Sequence, residues 1–335
     1  MTDARLEEDL DPASWQALAM RCPGATFFHL PAWYAATGHR GAAALFTYGD
    51  GQQALLPLAL HPRFRGSMRQ ALAGVEGGYG GLLSPEPLDP ARIAAAYALV
   101  LRRYPDLRVT GNPFAPRAAL PAAGRRTADT TRAVPLGAGD PLERMARSQI
   151  KQVRRGQRQG YRLEIVEAPD EAALAGIYPL YAAHAAGWES ERWVRDEAYF
   201  QALARAGGPA LVLFRLTREG HLAAFRLVAR VGPLVVALHG VRERGPDHLN
   251  AGPTLAATSM AWLQAHGVSW LDLMPSGALA GIEAYKASQG ALALPFEVAS
   301  HASGWGGLLE RAWRWRQAVI TASPASRAMA SSSGR

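Results

Sequence analysis

The order of predicted elements between residues 150 and 298 constrains the fold of this chain more than any other feature. Apolar periodicity and turn residues predict a strand, two helices, three strands joined by short turns, and then helix, strand, helix, strand. The boundaries are, in that order, 162–167, 170–186, 196–206, 210–217, 221–230, 234–241, 252–266, 269–274, 280–289 and 292–298. Short turns make the three consecutive strands antiparallel. The order predicts an α+β fold with a mixed, mostly antiparallel sheet flanked by helices.

The first third of the chain gives a similar but weaker pattern. It predicts a helix after Asp11-Pro12, a hairpin turning at residues 49–51, a helix, a short strand and a long Pro/Ala/Arg-rich loop. The helices are 15–20 and 90–104, the strands are 43–48, 54–60 and 107–110, and the loop is 113–131. The Leu45-Phe46 hairpin is echoed by Leu213-Phe214, which favours an internal duplication. We therefore predict an N-terminal half (1–139), a C-terminal half with the donor site (140–303) and a terminal segment (304–335).

Composition excludes several classes of protein. The chain has 335 residues, more than one core usually organises, and its longest apolar runs are far shorter than the roughly 18 residues of a membrane span. The acidic N-terminus does not resemble a signal peptide and Cys22 stands alone, so we expect a cytoplasmic protein. Neither a metal-binding spacing nor a Walker sequence occurs, so no metal site is expected. The net charge of +8 favours anionic partners.

Lysine is almost absent. Of 36 basic residues only Lys151 and Lys286 are lysines, and Lys286 follows Tyr285 in a short predicted helix. A chain that otherwise uses arginine can retain a lysine where a compact ammonium group is needed instead of a planar guanidinium. Lys286 is therefore the first candidate for a chemical role, with a solvated surface charge as the alternative.

Three segments resemble one protein family. They are TFFHLPAWYAATG at 26–38, SQIKQVRRGQRQGYRLEI at 148–165, and NAGPTLAATSMAWLQAHGVSWLDLMPSG at 250–277 with GIEAYKASQGA after it. In this order they resemble the FemAB-like branch of the GNAT acyltransferase superfamily. The resemblance implies two tandem GNAT-like halves and an acyl- or aminoacyltransferase that forms an amide on a small-molecule or peptide amine. The implied donor is aminoacyl-tRNA or acyl-CoA, with no tightly bound cofactor.

The resemblance also assigns residues. It places a functional lysine at Lys286, next to Tyr285, and we predict a catalytic group of Lys286, Tyr285 and Asp272. Asp272 lies between Leu271 and Leu273 on a predicted strand, so its side chain faces away from theirs. It would orient the amine or pair with Lys286, and the alternative is a structural carboxylate that accepts hydrogen bonds from loop amides.

Further residues are candidates for substrate binding. His239 interrupts an apolar strand that normally lines a donor site, while His184 and Trp188 share one face of a helix and suggest an acceptor pocket. The alternative for all three is packing in the core. Where acyl-CoA enzymes carry a glycine-rich phosphate loop, residues 242–247 read Arg-Glu-Arg-Gly-Pro-Asp, so we expect acyl-CoA to bind weakly.

A basic helix, predicted at 140–159, and a terminal segment complete the predictions. Lys151, Arg154 and Arg158 form one cationic face with Arg155, suited to the phosphates of tRNA, and the alternative is charge for solubility. Apolar residues from Trp305 to Trp313 predict an amphipathic helix that docks on the protein body or on a membrane surface. Two other functions stay open: an ordinary acyl-CoA N-acetyltransferase, and a non-catalytic GNAT-fold protein that binds RNA or a partner.

Overall fold

A computed structural model describes most of the chain. The described residues are 4–8, 10–63, 68–115, 120–121, 124–137, 139–188, 194–277 and 279–302. The predicted amphipathic helix around Trp305–Trp313 lies outside them, as does the tail that follows.

The described part of the N-terminal half contains three α-helices and six strands. In chain order they are β1 (Arg5–Glu7), α1 (Pro12–Arg21), α2 (Pro31–Ala36), β2 (Gly41–Thr47), β3 (Gln53–Arg63), β4 (Met68–Ala73), α3 (Pro90–Arg103), β5 (Asp106–Thr110) and β6 (Arg125–Pro135). The predicted helix starts are confirmed: the Asp11 carboxylate accepts hydrogen bonds from two amides of the first turn of α1. Asp89 caps α3 in the same way.

The C-terminal half follows the predicted order closely. Its elements are α4 (Arg147–Arg158), β7 (Arg162–Glu167), α5 (Glu171–Ala175), α6 (Tyr178–Ala185), α7 (Glu197–Gly207), β8 (Leu211–Arg218), β9 (His221–Val231), β10 (Leu234–Arg242), α8 (Ala251–Ala265), β11 (Trp270–Pro275), α9 (Ala280–Ser288) and β12 (Leu292–His301). The helix predicted at 170–186 is two short helices, because the chain turns at Gly176 and Ile177 between them. Residues 141–144, predicted as the start of the basic helix, form a separate 3-10 turn.

The twelve strands of the described residues form one sheet with a two-fold pattern. The order is β1-β2-β3-β4-β5-β12-β6-β11-β10-β9-β8-β7. Each half contributes four antiparallel strands, a helix and a fifth strand that is parallel to the fourth. The fourth and fifth strands are β4 and β5 in the N-terminal half, and β10 and β11 in the C-terminal half. The sixth strand of each half pairs with the fifth strand of the other half: β6 pairs with β11, and β12 pairs with β5. Leu45-Phe46 and Leu213-Phe214 lie on β2 and β8, which occupy equivalent places in the order.

Three apolar cores hold the helices on the sheet. One core is shared: it contains Phe27, Phe28 and Trp33 around α2 together with Tyr181 and Phe200 from α6 and α7. The opposite face of the sheet has a separate core in each half, under α3 in the N-terminal half and under α8 in the C-terminal half. The shared core therefore joins the two halves on one face only.

The prediction of a loop over residues 113–131 is wrong for its second part. From Arg125 onward these residues belong to β6, which pairs with β12 along nine residues and with β11 on its other edge. The sequence RRTADTTRAVP lacks apolar alternation because its first five residues are exposed. Pairing on both edges, rather than local propensity, makes this segment a strand.

Candidate functional site

The C-terminal half has an opening between its fourth and fifth strands. β10 and β11 pair only from Leu234 to Val236 and from Trp270 to Asp272, at the start of both strands. Beyond these pairs β10 continues beside β9 to Arg242, while β11 bends at an irregularity after Asp272. The two strands therefore part toward their C-terminal ends, which gives a substrate access to the edge of the sheet.

His239 lies on β10 where the strand has a bulge. The register between β9 and β10 shifts between Ala237 and His239. The imidazole packs against Tyr181 and Phe200, and its Nε2 lies 3.2 Å from the hydroxyl of Tyr199. Burial, with the nearby Arg195 guanidinium, lowers the pKa of His239 to about 3. His239 is therefore a neutral side chain at the rim of the opening, suited to hydrogen bonding and not to carrying charge.

Asp272 is the most buried acid of the site. Its Oδ2 accepts a hydrogen bond of 2.7 Å from the Tyr79 hydroxyl, and its Oδ1 accepts bonds of 2.6 Å from Thr131 Oγ1 and 3.0 Å from the Met274 amide. Burial raises the pKa of Asp272, while these three donors and Lys286 act in the opposite direction. The predicted orientation is confirmed, because Leu271 and Leu273 belong to the core on the other face.

The corner after Asp272 positions Lys286. Met274 has a φ of +66°, a left-handed conformation that is unusual for a residue with a side chain. The ammonium of Lys286 donates 2.7 Å to the Met274 carbonyl and 3.1 Å to the Pro275 carbonyl. Asp272 and Lys286 are thus linked only indirectly. Asp272 accepts a hydrogen bond from the Met274 amide, and Lys286 donates to the carbonyls of Met274 and Pro275.

Lys286 has the properties of a proton donor near neutral pH. Burial lowers its pKa to about 8, against the smaller influence of Asp272 and Glu283. An ammonium group has three N–H donors, and the two backbone carbonyls occupy two of them. One N–H is left for a substrate oxygen.

Tyr285, the neighbour of Lys286 on α9, points to the start of α8. A Cβ added to Gly252 would lie 3.2 Å from the Tyr285 hydroxyl and 3.3 Å from Cδ of Arg242. Burial of the hydroxyl end raises the pKa of Tyr285, although the residue as a whole is 43% exposed. Tyr285 and Arg242 therefore flank the first turn of α8, and Tyr285 lies beside Lys286 in sequence without sharing its contacts.

A buried arginine, Arg226, lies against the middle of α8 and the end of α9. Arg226 on β9 donates 3.1 Å to Ser259 Oγ and 3.0 Å to Gln289 Oε1, and burial lowers its pKa. Neither Arg226 nor Arg242 forms an ion pair with any acid in the described part of the chain. Arg242 lies at the first turn of α8, beside the positive end of that helix, and favours an anionic ligand there.

The predicted acceptor pair, His184 and Trp188, lies at the end of α6, and Trp188 packs against the shared core. The indole nitrogen of Trp188 donates 3.2 Å to Nδ1 of His184, and Trp188 contacts Tyr181. Arg244 donates 3.2 Å to the His184 carbonyl. Burial, then Arg244 and Arg242, lower the pKa of His184. Tyr181 contacts His239 as well, so the structure brings together the three residues that the sequence offered for substrate binding.

The basic helix α4 lies across the first turn of α8. Gly156 sits against Thr254 and Asn250 so closely that a Cβ would overlap the Thr254 hydroxyl. Lys151, Arg154 and Arg158 are exposed on the outer face with Arg147 and Arg155, and none of the five forms an ion pair with a described residue. The predicted cationic face is therefore open to solvent, and its helix packs on the same turn of α8 as Arg242.

Sequence reasoning missed Tyr79, Thr131 and Arg226. Tyr79 stands between glycines in the run GGYGG, which fits a backbone folded closely around one aromatic ring, and this signal was available. Arg226 interrupts the apolar strand LAAFRLVARV, which is a signal of the same kind as His239. Thr131 gave no signal, because it lies in the segment that was predicted as a loop.

Known proteins share this architecture. The family model described as Acetyltransferase (GNAT) domain matches residues 144–287. A crystal structure of FemX has a TM-score of 0.63 at 14% identity, over 87% of this chain and 96% of that one. The structure of L-PGS from Bacillus licheniformis has a TM-score of 0.51 at 14% identity, over 78% and 84%. The C-terminal domain of a putative lysylphosphatidylglycerol synthetase from Agrobacterium fabrum has a TM-score of 0.50 at 15% identity, over 83% and 88%.

Comparison with curated protein sequences gives no significant match. The domain match and the whole-chain similarity to FemX together confirm the predicted family resemblance and the predicted fold class.

Proposed function

Because the chain has a GNAT domain and the fold of the FemAB-like branch, we propose that it is an acyl- or aminoacyltransferase that forms an amide on an amine acceptor. The reacting edge is the opening between β10 and β11, and the donor binds mainly to the C-terminal half. The division into halves at residues 139 and 140 remains part of this proposal, as does the catalytic group of Lys286, Asp272 and Tyr285.

The placement of Lys286 carries the proposal. In the transfer, the amine nitrogen attacks the carbonyl carbon of an ester or thioester, the bond to the leaving oxygen or sulfur breaks, the nitrogen loses a proton and the leaving atom gains one. The unoccupied N–H of Lys286 supplies a hydrogen bond to the oxyanion or the proton for the leaving group. A pKa of about 8 keeps most of this ammonium protonated at neutral pH while making the proton easier to give up.

Asp272 has a positioning role in this scheme. Both oxygens of its carboxylate accept hydrogen bonds, from Tyr79, Thr131 and the Met274 amide, and the residue is fully buried, so it is not placed to take a proton from the acceptor amine. It fixes the corner at Met274 whose carbonyl holds Lys286. Tyr285 and the unpaired Arg242 lie where the anionic part of a donor would bind, and His184, Trp188 and His239 line the acceptor side.

Charge favours aminoacyl-tRNA over acyl-CoA as the donor. The exposed basic face of α4 adjoins the start of α8, which extends the positive surface well beyond the reach of one pyrophosphate. The names of two similar structures point the same way, since lysylphosphatidylglycerol synthetase is named for an aminoacylated product. An ordinary acyl-CoA N-acetyltransferase is the alternative, supported by the match to an acetyltransferase domain.

The test offers the donors separately. The full chain is incubated with a mixture of aminoacyl-tRNAs or with acyl-CoA, each with a pool of peptide and small-molecule amines, and the products are identified by mass spectrometry. Amide products from charged tRNA that disappear in Lys286→Ala support the proposal. Products from acyl-CoA alone would establish the alternative, and no product from either donor would favour a non-catalytic binding protein.

A further inference from the structure

Helix α9 has an unusual distribution of charge. None of its nine residues is buried, and its two charged side chains both turn toward the protein. Glu283 pairs with Arg132 on β6, and Lys286 donates to the carbonyls at the end of β11. A surface helix normally does the reverse, with its charges in water and its apolar residues in the core.

The outward side of α9 is apolar. Leu279, Ile282 and Tyr285 follow one another at spacings of three, so they form one stripe, and they are 53%, 42% and 43% exposed. The other exposed residues of the helix are Ala280, Gly281, Ala284 and Ala287. Leu249, 51% exposed, precedes the α8 turn that the Tyr285 hydroxyl approaches. This group, Leu249 with the α9 stripe, contains most of the large apolar side chains exposed in the described C-terminal half.

Positive charge surrounds this apolar group. Arg242 lies against the same turn of α8 as Tyr285, and it has no ion-pair partner among the described residues. At the other end, the Ala146 amide donates 2.9 Å to the Ser288 carbonyl, which places the last turn of α9 next to Arg147 at the start of α4. Exposed leucine and isoleucine between unpaired arginines make a surface that is apolar in its centre and cationic at its edges.

We propose that Leu249 and the α9 stripe dock the protein on an anionic bilayer. The apolar side chains enter the boundary between head groups and acyl chains, and the exposed Arg147 contacts lipid phosphates, while Arg242 stays at the start of α8 for the donor. RNA would account for the arginines, but a nucleic-acid phosphate backbone has no use for exposed leucines. No described helix is long and apolar enough to cross a bilayer, so the contact is with the membrane surface. Docking through α9 would bring Lys286, and the opening between β10 and β11, close to the membrane surface.

The test measures binding without turnover, so its outcome is independent of the proposed reaction. The full chain is mixed with vesicles of phosphatidylcholine, or of phosphatidylcholine and phosphatidylglycerol in equal parts, and separated by flotation. We expect binding to the mixed vesicles that weakens with salt, and little binding to phosphatidylcholine alone. Ile282→Asp should lower the binding by roughly tenfold or more, since it replaces a side chain that would be buried in the membrane.

Met20→Asp is the matched control. Met20 is 51% exposed on α1 in the other half, so its substitution adds the same charge without touching the α9 stripe, and binding should not change. Because Ile282 is exposed, Ile282→Asp should fold normally, which circular dichroism checks. Equal binding by Ile282→Asp and the unaltered chain would overturn the proposal, as would the absence of binding to either kind of vesicle.

A second measurement reports on the stripe directly. Cys22 is buried, so Leu279→Cys offers an accessible thiol for an environment-sensitive fluorophore. Mixed vesicles should raise the emission and shift it to the blue, as expected when the probe leaves water. An emission that responds to protein concentration and not to vesicles would show that a second copy of the chain covers the stripe, and would overturn membrane docking.

Discussion

In the N-terminal half the chain leaves the sheet after Ala73, and the glycine-rich loop 74–81 folds over the ends of β4 and β5. The Gly80 amide donates 2.7 Å to the Thr110 carbonyl at the end of β5, and the chain then rejoins the sheet where Leu83 pairs with Leu55. In the C-terminal half the equivalent strand, β10, has only a bulge before His239 and continues to Arg242. The loop fills in one half the place that stays open in the other.

This difference assigns separate roles to two halves with the same strand order. The loop that occupies this place in the N-terminal half sends Tyr79 across β12 and β6 to Asp272 on β11. The ring of Tyr79 packs on Phe28 and Phe296 along the way. Glu76 of the same loop pairs with Arg195, just before α7. One half therefore supports a site that the other half contains.

The largest effect is expected at Lys286, which only the open half possesses. Lys286→Ala removes the ammonium that we propose stabilises charge in the transition state, so turnover should fall on the order of a hundredfold with donor and acceptor affinity nearly unchanged. Lys286→Arg should not restore turnover, because a guanidinium is larger and keeps its proton near neutral pH. Steady-state kinetics with a fixed donor measures both variants.

Arg102→Ala, which removes an exposed charge from α3 in the filled half, is the control and should be fully active. The pH dependence adds a second criterion. The folded pKa of Lys286 is about 8, so activity that needs the ammonium should decline as the pH rises through 8, and this decline should be absent in Lys286→Ala. A folded Lys286→Ala enzyme with normal turnover would show that Lys286 has no role in the reaction, and that this lysine does not distinguish the C-terminal half from the N-terminal half.

The next effect is expected at the loop that fills the N-terminal half. In Gly80→Ala the added methyl group would overlap the backbone of Ala73, so the loop cannot keep its place. We expect the free energy of unfolding to fall by about 2–3 kcal/mol, as for overpacking of a rigid core. Denaturant unfolding measures this, with Gly49→Ala as the control because a Cβ at Gly49 meets no atom. Equal stability of the two variants would show that the loop does not depend on this close contact.

The sequence predicted elements better than it predicted what joins them. Every strand of the C-terminal meander was placed within one residue, since turn residues and apolar runs are local signals. The orientation of Asp272 followed from strand alternation for the same reason. The bond between Tyr79 and Asp272 joins residues 193 apart, and β6 is a strand through pairing with distant partners. Neither leaves a local pattern, so both required the structure.

A smaller effect is expected when the link between the halves loses one hydrogen bond. Tyr79→Phe leaves Oδ2 of Asp272 buried without its donor, which should lower stability by about 1–2 kcal/mol at neutral pH. Burial already raises the pKa of Asp272, so protonation of this acid stabilises the folded state. The stability gained from protonation is lost as the pH rises through the folded pKa, and the buried carboxylate then needs its hydrogen-bond donors most. The cost of Tyr79→Phe should therefore be larger at neutral than at acidic pH.

The control for this variant is Tyr178→Phe. The Tyr178 hydroxyl forms no hydrogen bond with the described residues, and the ring packs on the same aromatic group as Tyr181, so its removal should change stability little. Unfolding at several pH values compares the two variants. If Tyr79→Phe were as harmless as Tyr178→Phe, the N-terminal half would contribute no support to the site through this bond.

The smallest effect concerns the cationic face of α4, which the N-terminal half lacks. Arg154→Glu with Arg158→Glu should weaken tRNA binding and flatten its salt dependence, because each lost phosphate contact reduces the slope of log K against log salt by about 0.9. Fluorescence titration of tRNA at several salt concentrations measures the slope. Arg40→Glu with Arg102→Glu is the matched reversal in the other half, because both arginines are exposed and neither pairs with an acid of the described residues, and it should leave the slope unchanged. An equal change in both double variants would mean that tRNA responds to net charge alone, and an unchanged slope in both, with tight coenzyme A binding by calorimetry, would assign the open half to an acyl-CoA donor.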